Sequence, residues 1–211
     1  MDKKKVIKAM YKYITSKDYL HPIFAGVHFE KYRCYATDTH VLVIFNESIE
    51  QLDGKTINEK GEELNGHFPK VDAVFPSEKS EYTVYIDLPQ LLKALNWHTR
   101  KPDFNKNDIM VLDHKAINID TLRRLLSMHE VAGELADTKM FKTAEGRAVI
   151  VESKSLRSLI MPSMFNEIDV DSKVEDGCLK TVSYDKLIND YAFNHWRKQE
   201  NTAPTDWLAK F

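Results

Sequence analysis

Cysteine is scarce in this 211-residue chain, with only Cys34 and Cys178, far apart in sequence. That excludes a disulfide framework and any cysteine-rich zinc spacing, and Cys34 falls inside an apolar strand pattern. Seven glycines and seven prolines are too few for a linker-rich or disordered protein. No apolar run approaches the ~20 residues that a membrane helix requires. The opening Met1-Asp2-Lys3-Lys4-Lys5, followed by Lys8 and Lys12, contains no apolar signal-peptide core. The expectation is a soluble protein of the reducing cytoplasm with no membrane partner. A large charge of one sign is also missing: the formal net charge is -2. Any affinity for nucleic acid must therefore come from basic residues gathered on one face.

Catalytic signatures are missing too. There is no HExxH, P-loop or GxGxxG, and His21, His28, His67, His98 and His114 stand singly. Asp38 and His40 lie two apart on one corner, which supplies only two of the three or four ligands a metal site needs. The chain reads as a non-enzyme without metal or cofactor.

What is present is a core-forming composition, 43% hydrophobic, enough for one domain or two small ones. The organising stretch is Tyr35-Ala36-Thr37-Asp38-Thr39-His40-Val41-Leu42-Val43. The alternating apolar residues Ile23, Ala25, Val27 and Phe29 lead into it, and Ile44 and Phe45 run out of it, so an antiparallel pair is expected. Thr37, Asp38 and Thr39 suit the corner because their side chains bond their own backbone. Alone, this stretch reads as a β-turn beside a neutral histidine.

Residues 3 to about 17 read as a helix with Ile7, Met10, Tyr11 and Ile14 on the buried stripe and Lys5, Lys8 and Lys12 on another side. His21-Pro22 stops it. Residues 46–66 are turn-rich. Gly66 to Pro76 is an apolar segment with prolines near both ends, expected to lie as a connector over a surface. Tyr82 to Ile86 reads as a strand, and Asp87 as the N-cap of a helix with Pro89 in its first turn and Leu88, Leu91, Leu92 and Leu95 buried. Ile109–Leu112 and Ala116–Ile119 read as strands. Asp120 is expected to cap a third helix, with Leu122, Leu125, Leu126 and His129 inward and Arg123, Arg124 and Ser127 outward. Gly133 ends that region, and strands follow at Ala148–Glu152 and Leu156–Met161. Residues 166–211 depart from the pattern, with an acidic loop at 169–176, a strand near Leu179–Val182, a helix over Tyr184–Trp196 and a tail holding Trp207, Leu208 and Phe211. The expected division is 1–80, 81–165 and a C-terminal extension, 166–211. Three helices with basic residues on or beside their non-core sides suggest one shared phosphate-facing surface.

Taken in order, these segments resemble the bacterial sliding clamp, the β subunit of DNA polymerase III. The motifs that carry the resemblance are Gly26-Val27-His28-Phe29-Glu30, the corner Ala36 to Leu42, the Gly66 to Pro76 segment with Phe68, Pro69, Val74 and Pro76 in place, and Leu159-Ile160-Met161-Pro162. It covers roughly residues 3–165 and is similar to the second and third clamp domains. The sequence departs from the family where Val41 replaces the usual arginine, where Ser163-Met164-Phe165 replaces the usual Met-Arg-Leu, and where the chain continues beyond residue 165. It reads as a reduced, divergent relative.

The resemblance implies an α+β, DNA-clamp-like fold, with helices packed on antiparallel sheets. It implies a non-enzymatic processivity factor in DNA replication that holds double-stranded DNA without reading bases and closes a ring as a homo-oligomer. On that basis Lys5, Lys8, Lys12, Lys93, Arg123 and Arg124 are the DNA-facing residues. Thr37, His40, Leu42, Pro69, Val74, Leu159, Ile160, Met161 and Pro162 match the family's pocket for short peptide motifs of replication proteins. Those types suit a preformed apolar cleft, with Thr37 and His40 able to orient a peptide. The alternative is a clamp-fold interaction module, of phage or mobile-element origin, that binds replication proteins without closing a ring. Its tail would dock on a neighbouring pocket or cover a joint.

Overall fold

The computed structural model describes residues 2–18, 20–75, 83–84, 86–112, 115–142, 148–162 and 181–200. Helix α1 (Lys3–Tyr13) starts where Asp2 accepts hydrogen bonds from the backbone of Lys4 and Lys5, satisfying donors that have no helical partner. It buries Val6, Ile7, Ala9 and Met10 and ends four residues earlier than expected, with Ile14 as its C-cap. Pro22 fixes a short 3-10 turn over Pro22–Ala25, so Ile23 and Ala25 are not strand residues. Strand β1 (Gly26–Phe29) begins at a glycine for a steric reason: a Cβ there would sit 2.7 Å from Thr56 Cγ2 and 2.8 Å from the Ile57 carbonyl oxygen. A turn closed by Glu30 N donating to the Arg33 carbonyl leads to β2 (Cys34–Thr37), and the Asp38–His40 corner leads to β3 (Val41–Phe45). The expected single strand pair is thus a three-stranded meander.

Strand β4 (Thr56–Asn58) pairs on the other side of β1. After the connector come β5 (Thr83–Val84) and α2 (Leu88–His98), the latter capped by Asp87 accepting from Gln90 N. Next are β6 (Ile109–Leu112), β7 (Lys115–Asn118) and α3 (Ile119–Val131). The cap of α3 is Asn118, not Asp120, because the Asn118 side chain accepts from Thr121 N while Asp120 lies inside the first turn. Ser127, expected to face outward, is buried and returns a hydrogen bond to the Arg123 carbonyl. Gly133 adopts φ 75° just past the helix end, the left-handed conformation that glycine tolerates best. Strand β8 (Lys139–Lys142), whose alternation is masked by lysines at both ends, was not expected. Strands β9 (Val149–Glu152) and β10 (Leu156–Ile160) form the last hairpin of the main sheet.

That main sheet runs β4-β1-β2-β3-β10-β9-β8-β5, antiparallel throughout. It is continuous across the boundary expected near residue 80, because β3 pairs with β10 from Leu156↔Phe45 to Ile160↔Val41. The expected extension is integrated into the fold: β11 (Thr181–Ser183) pairs in parallel with β6 to give the small sheet β11-β6-β7. Helix α4 (Tyr184–Glu200) packs on α2, with Leu187 buried and Tyr191 edge-on to Trp97. The acidic 169–176 stretch, Tyr82, Tyr85, Pro76 and the Trp207–Phe211 tail lie outside the described residues.

The two faces of the main sheet carry different cores. Val41, Val43, Phe45 and Ile160 pack toward the helices, whereas Leu42, Ile44 and Leu159 pack with Phe68, Val71 and Phe75 of the connector. The helices form a row α1-α3-α2-α4 by pairwise packing. His129 on α3 has no exposure and lies between the hydroxyls of Ser153, Ser158 and Thr138.

Candidate functional site

The Thr37–Val41 corner is held by side chains. Asp38 Oδ1 accepts from His40 N (3.0 Å) and Val41 N (2.9 Å), and Thr37 Oγ1 accepts from Thr39 N (3.0 Å) while donating to the Val41 carbonyl (2.7 Å). These bonds sustain Thr39 at φ 77°, an unusual conformation for a β-branched residue. The His40 carbonyl accepts from Met161 N (2.9 Å), fastening the corner to the exit of β10.

Beside this corner lies a cavity of about 170 Å³. Of the residues expected in a peptide pocket, Thr37, His40, Leu42, Pro69, Val74, Leu159 and Met161 line it, brought together from three distant segments. Ile160 does not: the alternation of β10 turns it into the helix-side core at 1% exposure. Pro162 is not among the lining residues either. Val74 and Met161 are 49% and 44% exposed, so large apolar groups at the rim face solvent.

Sequence reasoning missed Phe24, Thr39, Val41, Phe68 and Val71 as lining residues. Phe68 was visible within the proline-flanked segment, but its role depends on packing. It stands between Phe24 (5.5 Å between ring centroids), Tyr35 (5.2 Å) and His28 (5.3 Å). The connector is pinned by a fork in which Arg33 donates to both Asp72 oxygens at 2.7 Å, and by the Arg157 guanidinium lying 4.2 Å from the Phe75 ring centroid. Burial lowers the pKa of His28. Burial, then the hydrogen bond to Glu30, raises that of Tyr35.

On the opposite side, Lys5, Lys8 and Lys12 of α1 and Lys93 of α2 are exposed. The two expected arginines are engaged within the protein. Arg123 pairs with Asp120 at 2.6 Å. Arg124 donates to Asp38 Oδ2 at 2.8 Å and to the Tyr13 carbonyl at 2.6 Å. Among the described residues, no group of three or more His, Cys, Asp or Glu side chains is placed to hold a metal ion, and no helix is long and apolar enough to cross a membrane.

No family model matches the chain, and no curated protein matches it. Solved structures do. DNA polymerase III subunit beta from Pseudomonas aeruginosa superposes with a TM-score of 0.57 at 12% identity, over 78% of this chain and 66% of that one. A sliding clamp from Bartonella birtlesii bound to griselimycin gives 0.58 at 11%, over 77% and 64%. The β subunit from Thermotoga maritima gives 0.57 at 13%, over 79% and 65%. The chain therefore spans slightly less than two thirds of the length of these clamps, and it has an α+β fold of the sliding-clamp kind.

Proposed function

We propose that this chain is a sliding-clamp-like processivity factor in DNA replication, which holds duplex DNA against its helix row and docks replication proteins through short peptides in the cleft beside the corner. The observation that carries the reading is the cleft. Three segments far apart in sequence meet there, with apolar groups exposed at the rim and His40 and Thr37 beside them. Such a cleft offers binding, not bond-making: it is apolar, preformed and bordered by a few polar groups. On the other face of the sheet the exposed Lys5, Lys8, Lys12 and Lys93 supply charge for phosphates, and each phosphate contact adds ~0.9 to the salt slope of DNA binding.

Two measurements test the reading. The chain is expected to stay on closed circular plasmid and to leave it on linearisation; equal retention on both forms rejects topological holding. Griselimycin, the ligand of the Bartonella clamp, is expected to bind this chain and to lose affinity in Met161→Asp. Undiminished binding by that variant removes the cleft from the proposal.

A second reading has its own support. Strand β11 occupies one margin of β6, and α4 occupies the end of the helix row beside α2. A clamp-fold interaction module, covered by its own C-terminal segment and not closing a ring, fits that arrangement. A monomeric mass in solution at micromolar concentration favours the module, and a closed oligomer favours the ring.

A further inference from the structure

We infer that Arg124 is a positioning residue, a strut that sets the wall of the peptide cleft, and not a phosphate contact; this rests on the proposed reading of the cleft. The guanidinium has all three nitrogens engaged. Nη1 donates to the Tyr13 carbonyl at 2.6 Å, Nη2 to Asp38 Oδ2 at 2.8 Å and to Thr121 Oγ1 at 3.3 Å, and Nε pairs with Asp120 Oδ2 at 3.3 Å. The Tyr13 carbonyl belongs to the last turn of α1, where carbonyls lack intrahelical donors, so one side chain ties α1, α3 and the corner together. Arg124 is 21% and Asp38 13% exposed, so water replaces neither contact well.

The connection continues beyond Asp38. Its other oxygen holds the His40 and Val41 amides, and the His40 carbonyl holds Met161 N. His40 and Met161 both line the cleft. The path from the helix face to the cleft wall is therefore a run of short hydrogen bonds through one carboxylate. Without the guanidinium, Asp38 loses its charge partner, and the carboxylate whose other oxygen helps hold the strained Thr39 corner is no longer oriented from the helix side. Lysine restores this only in part, because one ammonium can pair with the carboxylate but does not also reach the Tyr13 carbonyl in the fixed fork that arginine presents.

The test uses the full chain and three readouts. Amide hydrogen exchange at His40 and Val41 should quicken about tenfold in Arg124→Ala, with core amides of α2 unchanged. Griselimycin affinity should fall about tenfold in the same variant, with partial recovery in Arg124→Lys, and Asp38→Asn should add nothing further when combined with Arg124→Ala. The salt slope of plasmid binding should stay as in the wild type, whereas Lys8→Ala should reduce it by ~0.9. Exchange within twofold of wild type, or a reduced salt slope in Arg124→Ala, overturns the inference. If Arg124→Ala does not fold, Arg124→Lys and Asp38→Asn decide by the same exchange readout. Should wild-type protein not bind griselimycin, the peptide reading fails while the exchange rates still judge the strut.

Discussion

His129 offers a sharp test of how α3 meets the main sheet. It has no exposure, and burial is the main force that pushes its pKa down to about 4, with Glu134 opposing weakly. The surrounding hydroxyls of Ser153, Ser158 and Thr138 satisfy a neutral ring, and Ser153 passes the contact on to Glu134 at 2.6 Å. In the unfolded chain the ring titrates near its ordinary value of ~6.5. Between that value and about 4 the unfolded state binds the extra proton, so stability present above the window is lost as pH falls through it. The loss from pH 7 to pH 5 comes to about 2 kcal/mol, rising to about 3 kcal/mol below pH 4. Burial lowers the pKa of His28 and His98 as well, so they add loss of the same sign. The variant His129→Gln, which keeps an amide able to bond the serines, isolates the contribution. Urea melts at both pH values should show a pH-induced loss smaller by about 2 kcal/mol in the variant, even if its absolute stability is lower. An identical loss in wild type and variant refutes the buried neutral ring.

Cys34 is buried, its thiol 3.9 Å from Met10 Sδ and pushed up to about 12 by burial; its labelling by a disulfide reagent should require unfolding, and fast reaction in native protein would contradict the packing. Asn118→Ala should lower stability by about 1 kcal/mol through loss of the α3 cap, and a neutral result in a thermal melt would return the cap to Asp120. Leu125→Ala, at a side chain with no exposure, should cost about 2–5 kcal/mol. Met161→Ala at the cleft rim should change stability by less than about 0.5 kcal/mol, so a large loss there would mark a core role and not a binding one.

The architecture was legible where a residue announces its own constraint. Asp87 before Pro89 and the Leu88–Leu95 stripe each forced the local outcome that the fold displays, whereas Pro22 set a 3-10 turn where a strand was expected, after α1 had already ended at Tyr13. The corner was equally plain, since Thr37 and Asp38 close it with their own side chains. The turn at Glu30–Arg33 was not, because Glu30-Lys31-Tyr32-Arg33 contains none of the usual turn residues and the turn is closed by backbone. Of the five cleft residues that escaped, three did so for another reason. Phe24, Phe68 and Val71 line it only through tertiary packing around an aromatic cluster. Ile160 shows the converse: its neighbours in the motif face the cleft, but period-two alternation sends it to the other side of the sheet. Arg123 and Arg124 read as free cations because Asp38 is distant in sequence and Asp120 looked like a cap.

The margins of the sheets bear on ring closure. A ring built by strand addition needs a terminal strand that can accept another chain. Among the described residues the terminal strands are β4 and β5 of the main sheet and β7 and β11 of the small one. Residues 62–64 already cover β4, since Leu64 N donates to the Thr56 carbonyl at 2.8 Å and Asn58 N to the Glu62 carbonyl at 2.9 Å. Strand β11 covers one side of β6 and is itself three residues long, and the described part of β5 is two. Short margins of this kind are how proteins resist edge-to-edge pairing. Among the described residues, β7, the four-residue strand next to β6, is the longest terminal strand open to main-chain pairing. A ring that forms in wild type but is lost in Ile117→Pro, with the monomer still folded, would identify β7 as the joint. A ring that appears only when Val182→Asp loosens β11 would make the C-terminal segment its brake.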